Sequence, residues 1–317
     1  MSYLVVVAVT IVIYAILTVG LNIVVGYVGQ PNLAQSAFLG LGAYFAAVFS
    51  TRYGVSFWWT IPISFAVAGV AGLGLGAVSL RLREDFLAIT TIGVNFVVVA
   101  VFQYMPFFGG STGIYAIPLP AIAGHQFANT DFLIVGLVML VGVVGASFYL
   151  QRAWFGQSLA AIRDDEQAAC SVGIPMASYK VAAFTLSAAF AGMAGSLYAP
   201  FLSVVTPTSF GFTESIVILS MLIFGGLGRI RGALIGALIL GALPEVFRFI
   251  SDYRLLTFGV ILVLMLRFQP QGLLGEDSVM SKLASRALTA FRRPVPSLAA
   301  EGALMEKDTS SHGPSRD

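Results

Sequence analysis

Residues 3–20, YLVVVAVTIVIYAILTVG, carry no charged side chain and no proline. A hydrocarbon core about 30 Å thick needs roughly 20 apolar residues per crossing helix, and this stretch meets that length. No basic segment precedes it, and it runs on longer than the apolar core of a cleaved signal, so it reads as a retained first helix. Comparable runs recur along the chain between short polar breaks. Lipid offers the backbone no hydrogen-bond partners, so spanning segments must be helices or closed barrels. Long apolar runs without strict alternation select helices. The expected fold is an all-α, polytopic integral membrane helical bundle.

Composition agrees: 58% of the 317 residues are hydrophobic and 10% charged, against about 25% charged in soluble domains. A water-facing surface is excluded, and lipid is the surrounding medium. Hydropathy, with breaks at Gly, Pro and charged clusters, predicts about nine spans (eight to ten): 3–20, 33–50, 57–79, 86–105, 131–150, 179–199, 213–227, 232–250 and 254–268. Basic residues accumulate in cytoplasmic loops. With the N-terminus outside and the C-terminus inside, 14 of the 17 Lys and Arg residues lie inside, leaving Arg52, Arg248 and Arg254 outside. Residues 1–275 form the expected transmembrane domain. From 276 to 317 the composition turns polar and basic, predicting a cytoplasmic, largely disordered tail with a surface helix near Lys282–Arg293. The single cysteine, Cys170, forms no internal disulfide, and a net charge of +2 makes no case for nucleic acid. Small pairs such as Gly72/Gly76 and Gly232/Gly236 read as bundle packing in preference to a dimer motif. SAFLGLGAYFAA and SIVILSMLIFGG echo each other too faintly to make a repeat.

Two stretches carry function. Residues 26–36, GYVGQPNLAQS, combine glycines with Pro31 and should break a helix at membrane depth. Irregular backbone there is tolerated only where it lines a cavity or is buried in protein. A half-helix starting near Asn32 would aim its positive end at an anionic solute group. Gln30, Asn32, Gln35 and Ser36, with Asn95 from the fourth span, are the candidate solute-path residues; each can equally be interhelical glue. The second stretch is the longest polar interruption, residues 151–180. Leu159, Ile162 and Ala169 recur at helical spacing, and Gly173 with Pro175 ends the helix. An exposed helix with a charged edge and small residues at Ala168 and Ala169 suits another protein's groove, with a plain solvated loop as the alternative.

QAACSVG at 167–173 resembles the coupling motif of ABC importer permeases, two alanines followed four residues later by glycine. The motif's usual Glu is Gln167 in strict register, with Glu166 one place earlier. Longer matches follow in order: LNIVVGYVGQ, AFLGLGAY, LRLREDFLAITTIG, GGSTGI, AAIRDDEQAA, SFGFTESIVIL, GGLGRIRGALIGA, LPE and RFQPQGLLG. Over residues 17–275 they resemble the permeases of branched-chain amino acid ABC importers, the larger of the two paired types. The resemblance implies that Arg163, Asp164, Asp165, Glu166, Gln167, Ala168, Ala169 and Gly173 form the coupling helix on an ATPase subunit. It also implies a second permease, a soluble solute-binding protein and a prokaryotic inner membrane. Members commonly read GQLSLGHAAF where this chain has GQPNLAQSAF, and a commonly acidic position is Phe96. Those departures leave the solute open among branched-chain amino acids, urea, amides, aromatic acids and related metabolites.

No phosphate loop of the GxxxxGK[ST] type occurs, so nucleotide is expected on a separate chain. Two histidines and no HExxH give no catalytic zinc site. No enzyme activity, catalytic residue, metal or cofactor is expected. Glu214 and Glu245 are placed near span ends, which argues against an ion-coupled carrier. The rival remains a stand-alone secondary transporter or channel.

Overall fold

The computed structural model describes residues 2–122 and 125–246, together with Gly259. The ninth expected span, the end of the eighth, RFQPQGLLG and the tail from 276 lie outside the described residues. What is described is helical apart from two short strand pairs and the irregular connections. Helix α1 (Ser2–Leu21) runs without interruption into a π-helical stretch, Asn22–Val28. Gly29 ends it at φ 81°, a left-handed backbone that glycine takes without a side-chain clash. Residues 30–34 have no regular structure, and α2 (Gln35–Tyr53) follows. The remaining helices are α3 (Phe57–Ser79), α4 (Glu84–Tyr104), α5 (Asn129–Arg152), α6 (Trp154–Asp164), α7 (Glu166–Ser171), α8 (Met176–Leu202), α9 (Phe212–Gly225) and α10 (Ile230–Val246).

Among the described residues, six helical segments are long and apolar enough to cross a membrane: Tyr3–Val28, Phe57–Ser79, Asp85–Tyr104, Asn129–Arg152, Met176–Leu202 and Pro207–Gly225. The expected count of about nine is therefore reached only in part. α2 falls short because Gln35 and Ser36 open it and Ser50, Thr51 and Arg52 close it, and the apolar part of α10 is shorter, Ile230–Leu243. Exposed aromatics collect at helix ends, with Tyr53, Trp58, Trp59 and Tyr104 toward one side of the bundle. Arg52 ties that side together, its guanidinium 5.0 Å above the Phe107 ring. Tyr and Trp gather at such positions because their rings combine an apolar body with a polar tip.

Helix association in lipid rests on close backbone approach, which favours small residues. α8 is lined with Ala, Gly and Ser and packs against α2 and α3. A methyl added at Gly42 would stand 2.1 Å from the Gly192 carbonyl oxygen, and one at Gly72 would stand 2.4 Å from the Ala188 side chain. Ser64 Oγ donates to the Gly42 carbonyl at 2.8 Å in the same crossing. Between α9 and α10, a methyl at Gly236 would stand 1.9 Å from the Met221 oxygen. Both small-residue pairs singled out in the sequence thus serve packing within this chain. Across the α4–α5 and α8–α9 connections, Ile114–Tyr115 pair antiparallel with Val204–Val205.

Candidate functional site

All five solute-path candidates are buried: Gln30, Asn32, Gln35, Ser36 and Asn95. The chain turns after Gly29, and the regular helix starts at Gln35, three residues later than expected. The delay has a local cause, because Asn32 Oδ1 accepts the Ala34 N–H at 2.9 Å and makes a turn where the helix was predicted to begin. Leu33 N–H is held by Thr91 Oγ1 of α4 at 3.1 Å. Gln35 then links three elements. Its Nε2 donates to the Leu17 carbonyl of α1 at 3.2 Å, and its Oε1 accepts from Ser187 Oγ of α8 at 3.2 Å and from Asn32 Nδ2 at 3.5 Å.

Ser36 joins a second cluster. Asn95 Nδ2 donates to Ser36 Oγ at 2.7 Å, Ser36 Oγ lies 2.7 Å from Ser215 Oγ, and Ser36 N–H donates to Ser215 Oγ at 3.1 Å. The Phe210 and Gly211 carbonyls sit 3.1 and 3.0 Å from Ser36 Oγ. The first turns of α2 and α9 therefore meet, and each helps satisfy N–H and hydroxyl groups that a helix start leaves open. Among the described residues, no side-chain hydrogen bond joins Gln30 to this cluster. Among the described residues, Gln30 Oε1 and Asn95 Oδ1 accept no hydrogen bond. A buried acceptor without a donor costs about 1–3 kcal/mol. Beside the cluster, Tyr44 stacks on Phe102 with ring centroids 4.0 Å apart, and Phe108 and Phe210 close round it.

Glu214 lies in the first turn of α9, near the helix end as expected, and that turn starts inside the bundle, since Ser215 meets Asn95 near the middle of α4. Tyr14, near the middle of the first span, donates its hydroxyl hydrogen bond to Glu214.

The segment expected to be one coupling helix, 163–173, is divided. α6 ends at Asp164, Asp165 turns the chain, and α7 covers Glu166–Ser171. Asp165 causes the break by capping the second helix, its Oδ1 accepting from Gln167 N at 2.8 Å and Ala168 N at 3.0 Å. Gly173 closes α7 at φ 85°. The two alanines differ: Ala169 is buried and Ala168 exposed. Glu166 pairs with Lys180 of α8, and that lysine is 5% exposed. Asp164, Asp165 and Gln167 face outward. Arg163 reaches the other way, donating from Nη1 to the Gly26 carbonyl at 2.6 Å, inside the π-helical stretch. Asn22, also in that stretch, accepts the Gly228 N–H at 2.9 Å. A methyl at Gly26 would stand 2.0 Å from Asn22 Oδ1, so only glycine fits there.

The first span winds into a π-helix, two helix starts meet in a polar layer, and a polar segment hooks onto that π-helix. A model of the family "Branched-chain amino acid transport system / permease component" matches residues 3–266. The chain belongs to that family. The high-affinity branched-chain amino acid transport system permease protein LivM of Escherichia coli K12 is 36% identical over 300 residues, covering 87% of this chain and 71% of LivM. LivM of Salmonella typhimurium is 35% identical, over 86% of this chain and 70% of that protein. LivH of Escherichia coli K12 is 24% identical, over 84% of this chain and 92% of LivH. The larger permease type named from the motifs is thus the better match. No solved structure matches the chain.

This permease, a multi-pass membrane protein and not an enzyme, places several contributors that sequence reasoning missed. Ser187, Asn22 and Tyr14 each stand between two apolar neighbours, Thr91 follows Thr90, and Ser215 follows Thr213 and Glu214; none has a spacing that marks it.

Proposed function

We propose that this chain is the larger permease subunit of an ATP-driven importer for branched-chain amino acids or a related small metabolite, in the inner membrane of a prokaryote. The observation that carries this is the family match over residues 3–266, together with the closer identity to LivM than to LivH. In this reading ATPase subunits dock on the exposed face of α7, a second permease completes the pathway, and a soluble binding protein delivers the solute from outside. The polar layer at Ser36, Ser215 and Asn95 is the closed gate. Movement of α6 and α7 pulls on Gly26 through Arg163 and frees the start of α2. About nine spans, with the N-terminus outside and the C-terminus inside, complete the topology, followed by a cytoplasmic tail.

Two tests separate this from a stand-alone carrier, a reading that a carboxylate at the start of α9, inside the bundle, favours. The tagged chain is purified from its native membrane and copurifying chains are identified; an ATPase pair and a second permease are expected. Uptake is then measured in proteoliposomes with the complex and its binding protein. ATP-dependent uptake supports the importer. Uptake by the isolated chain under an ion gradient, with no response to ATP, overturns it.

A further inference from the structure

α7 is six residues long, too short to hold itself as an isolated helix. Its inward face carries Glu166 and Ala169, three residues apart, while Gln167, Ala168, Cys170 and Ser171 are exposed. Glu166 is therefore the acid turned toward the bundle. Its carboxylate pairs with Lys180 of α8, whose side chain is 6% exposed against 43% for Glu166. A lysine buried so deeply keeps its charge with a counter-charge beside it, and removing one partner alone strands the other. From that end onward α8 is held closely against α3. A methyl at Gly76 would stand 2.9 Å from Cα of Val181, the residue after Lys180, and one at Gly72 would stand 2.7 Å from the Phe184 carbonyl oxygen. Ser187 follows Lys180 by seven residues, two turns and about 10 Å further along the same face. Its Oγ donates to Gln35 Oε1 at the start of α2.

We infer that the Lys180–Glu166 pair is a strut that carries movement of α7 into α8 and, through Ser187, to the start of α2. It is separate from the bond between Arg163 and the Gly26 carbonyl, which ties α6 to the first span. The inference rests on the importer reading, in which α7 receives the ATPase, and adds to it the pair that turns docking into motion of the solute path. Both are positioning residues, acting through α8. The docking face changes accordingly: Glu166 binds within its own chain, and the ATPase meets Gln167, Ala168 and Ser171 instead.

The test measures solute imported per ATP hydrolysed, in proteoliposomes holding the permease–ATPase complex with its binding protein. Glu166→Gln lowers that ratio at least fivefold while the ATPase copurifies as before, and the reversed pair, Glu166→Lys with Lys180→Glu, recovers at least half of it. A second variant keeps the strut testable if the reversed pair fails to assemble. In Glu166→Cys with Lys180→Cys and Cys170→Ser, a short bis-methanethiosulfonate rejoins α7 to α8 and raises the ratio at least threefold. Dithiothreitol reverses the gain, and the Cys170→Ser complex shows neither change. A merely structural pair would lower thermal stability and leave the ratio unmoved. Loss of ATPase copurification in Glu166→Gln, uncorrected by the reversed pair, shows that Glu166 faces the ATPase and overturns the strut. An unchanged ratio in Glu166→Gln, or a double-cysteine complex that the linker leaves uncoupled, overturns it too. In these cases ATP-driven uptake by the wild type leaves the importer standing. A wild-type chain that copurifies no ATPase and imports nothing with ATP removes the importer reading, and the strut with it.

Discussion

Gln35 shows how much one amide can hold in a membrane protein. It touches α1 through Leu17, α8 through Ser187 and the turn before α2 through Asn32. In hydrocarbon the alternative to these bonds is an unsatisfied polar group, although measured interhelical bonds are worth only about 0.6–2 kcal/mol each. Gln35→Leu removes all three, so uptake in proteoliposomes is expected to fall at least fivefold while copurification with the ATPase is unchanged. Unaltered uptake kinetics would place the gate elsewhere. Arg163 acts at the same scale. Its bond to the Gly26 carbonyl is charge-assisted and so stronger than a neutral one. Arg163→Ala should leave the complex assembled and its basal ATP hydrolysis intact. Stimulation of hydrolysis by loaded binding protein should drop at least fivefold, and full stimulation in the variant would show that force reaches the first span by another route.

At the level of elements, α7 owes its identity to its cap and its stop. Asp165 accepts from two N–H groups at its start, and Gly173 takes the left-handed conformation after its end. The motif QAACSVG was legible in the sequence, but the orientation of its alanines was not, because a helix this short has no periodicity to read. The structure buries Ala169 and leaves Ala168 outside. The two tryptophan variants should therefore fail differently. Ala168→Trp should release the ATPase without lowering the thermal stability of the permease. Ala169→Trp overpacks the chain's own interior, at a cost of about 1–3 kcal/mol, and should lower that stability. Thermal unfolding in detergent together with copurification distinguishes them, and equal behaviour would contradict the assigned faces. Gly173→Val costs roughly 1 kcal/mol for the left-handed backbone alone, since a methyl there meets nothing within 4 Å.

For the whole molecule, the distribution of basic residues predicts the orientation, and the chain supplies a reporter to test it. Cys170 is exposed on α7 and is the single cysteine. With the coupling segment inside, an impermeant thiol reagent should miss Cys170 in intact cells and label it once the membrane is opened. Ser111→Cys, exposed in the α4–α5 connection, should label in intact cells. The opposite pattern would invert the topology. By itself the sequence determined that the chain is a helical membrane protein, where most of its helices lie and to which family it belongs. It could do so because lipid forces every spanning backbone to satisfy itself locally, which writes each helix into a continuous apolar run. The tertiary structure alone decided that α9 starts inside the bundle, that Ser36 meets Ser215, that Arg163 reaches Gly26, and that Glu214 faces a cavity beside Tyr14. Those contacts join residues far apart in the chain through helix crossings set by where small side chains let backbones touch, and no local pattern records which crossing a lone polar residue will meet.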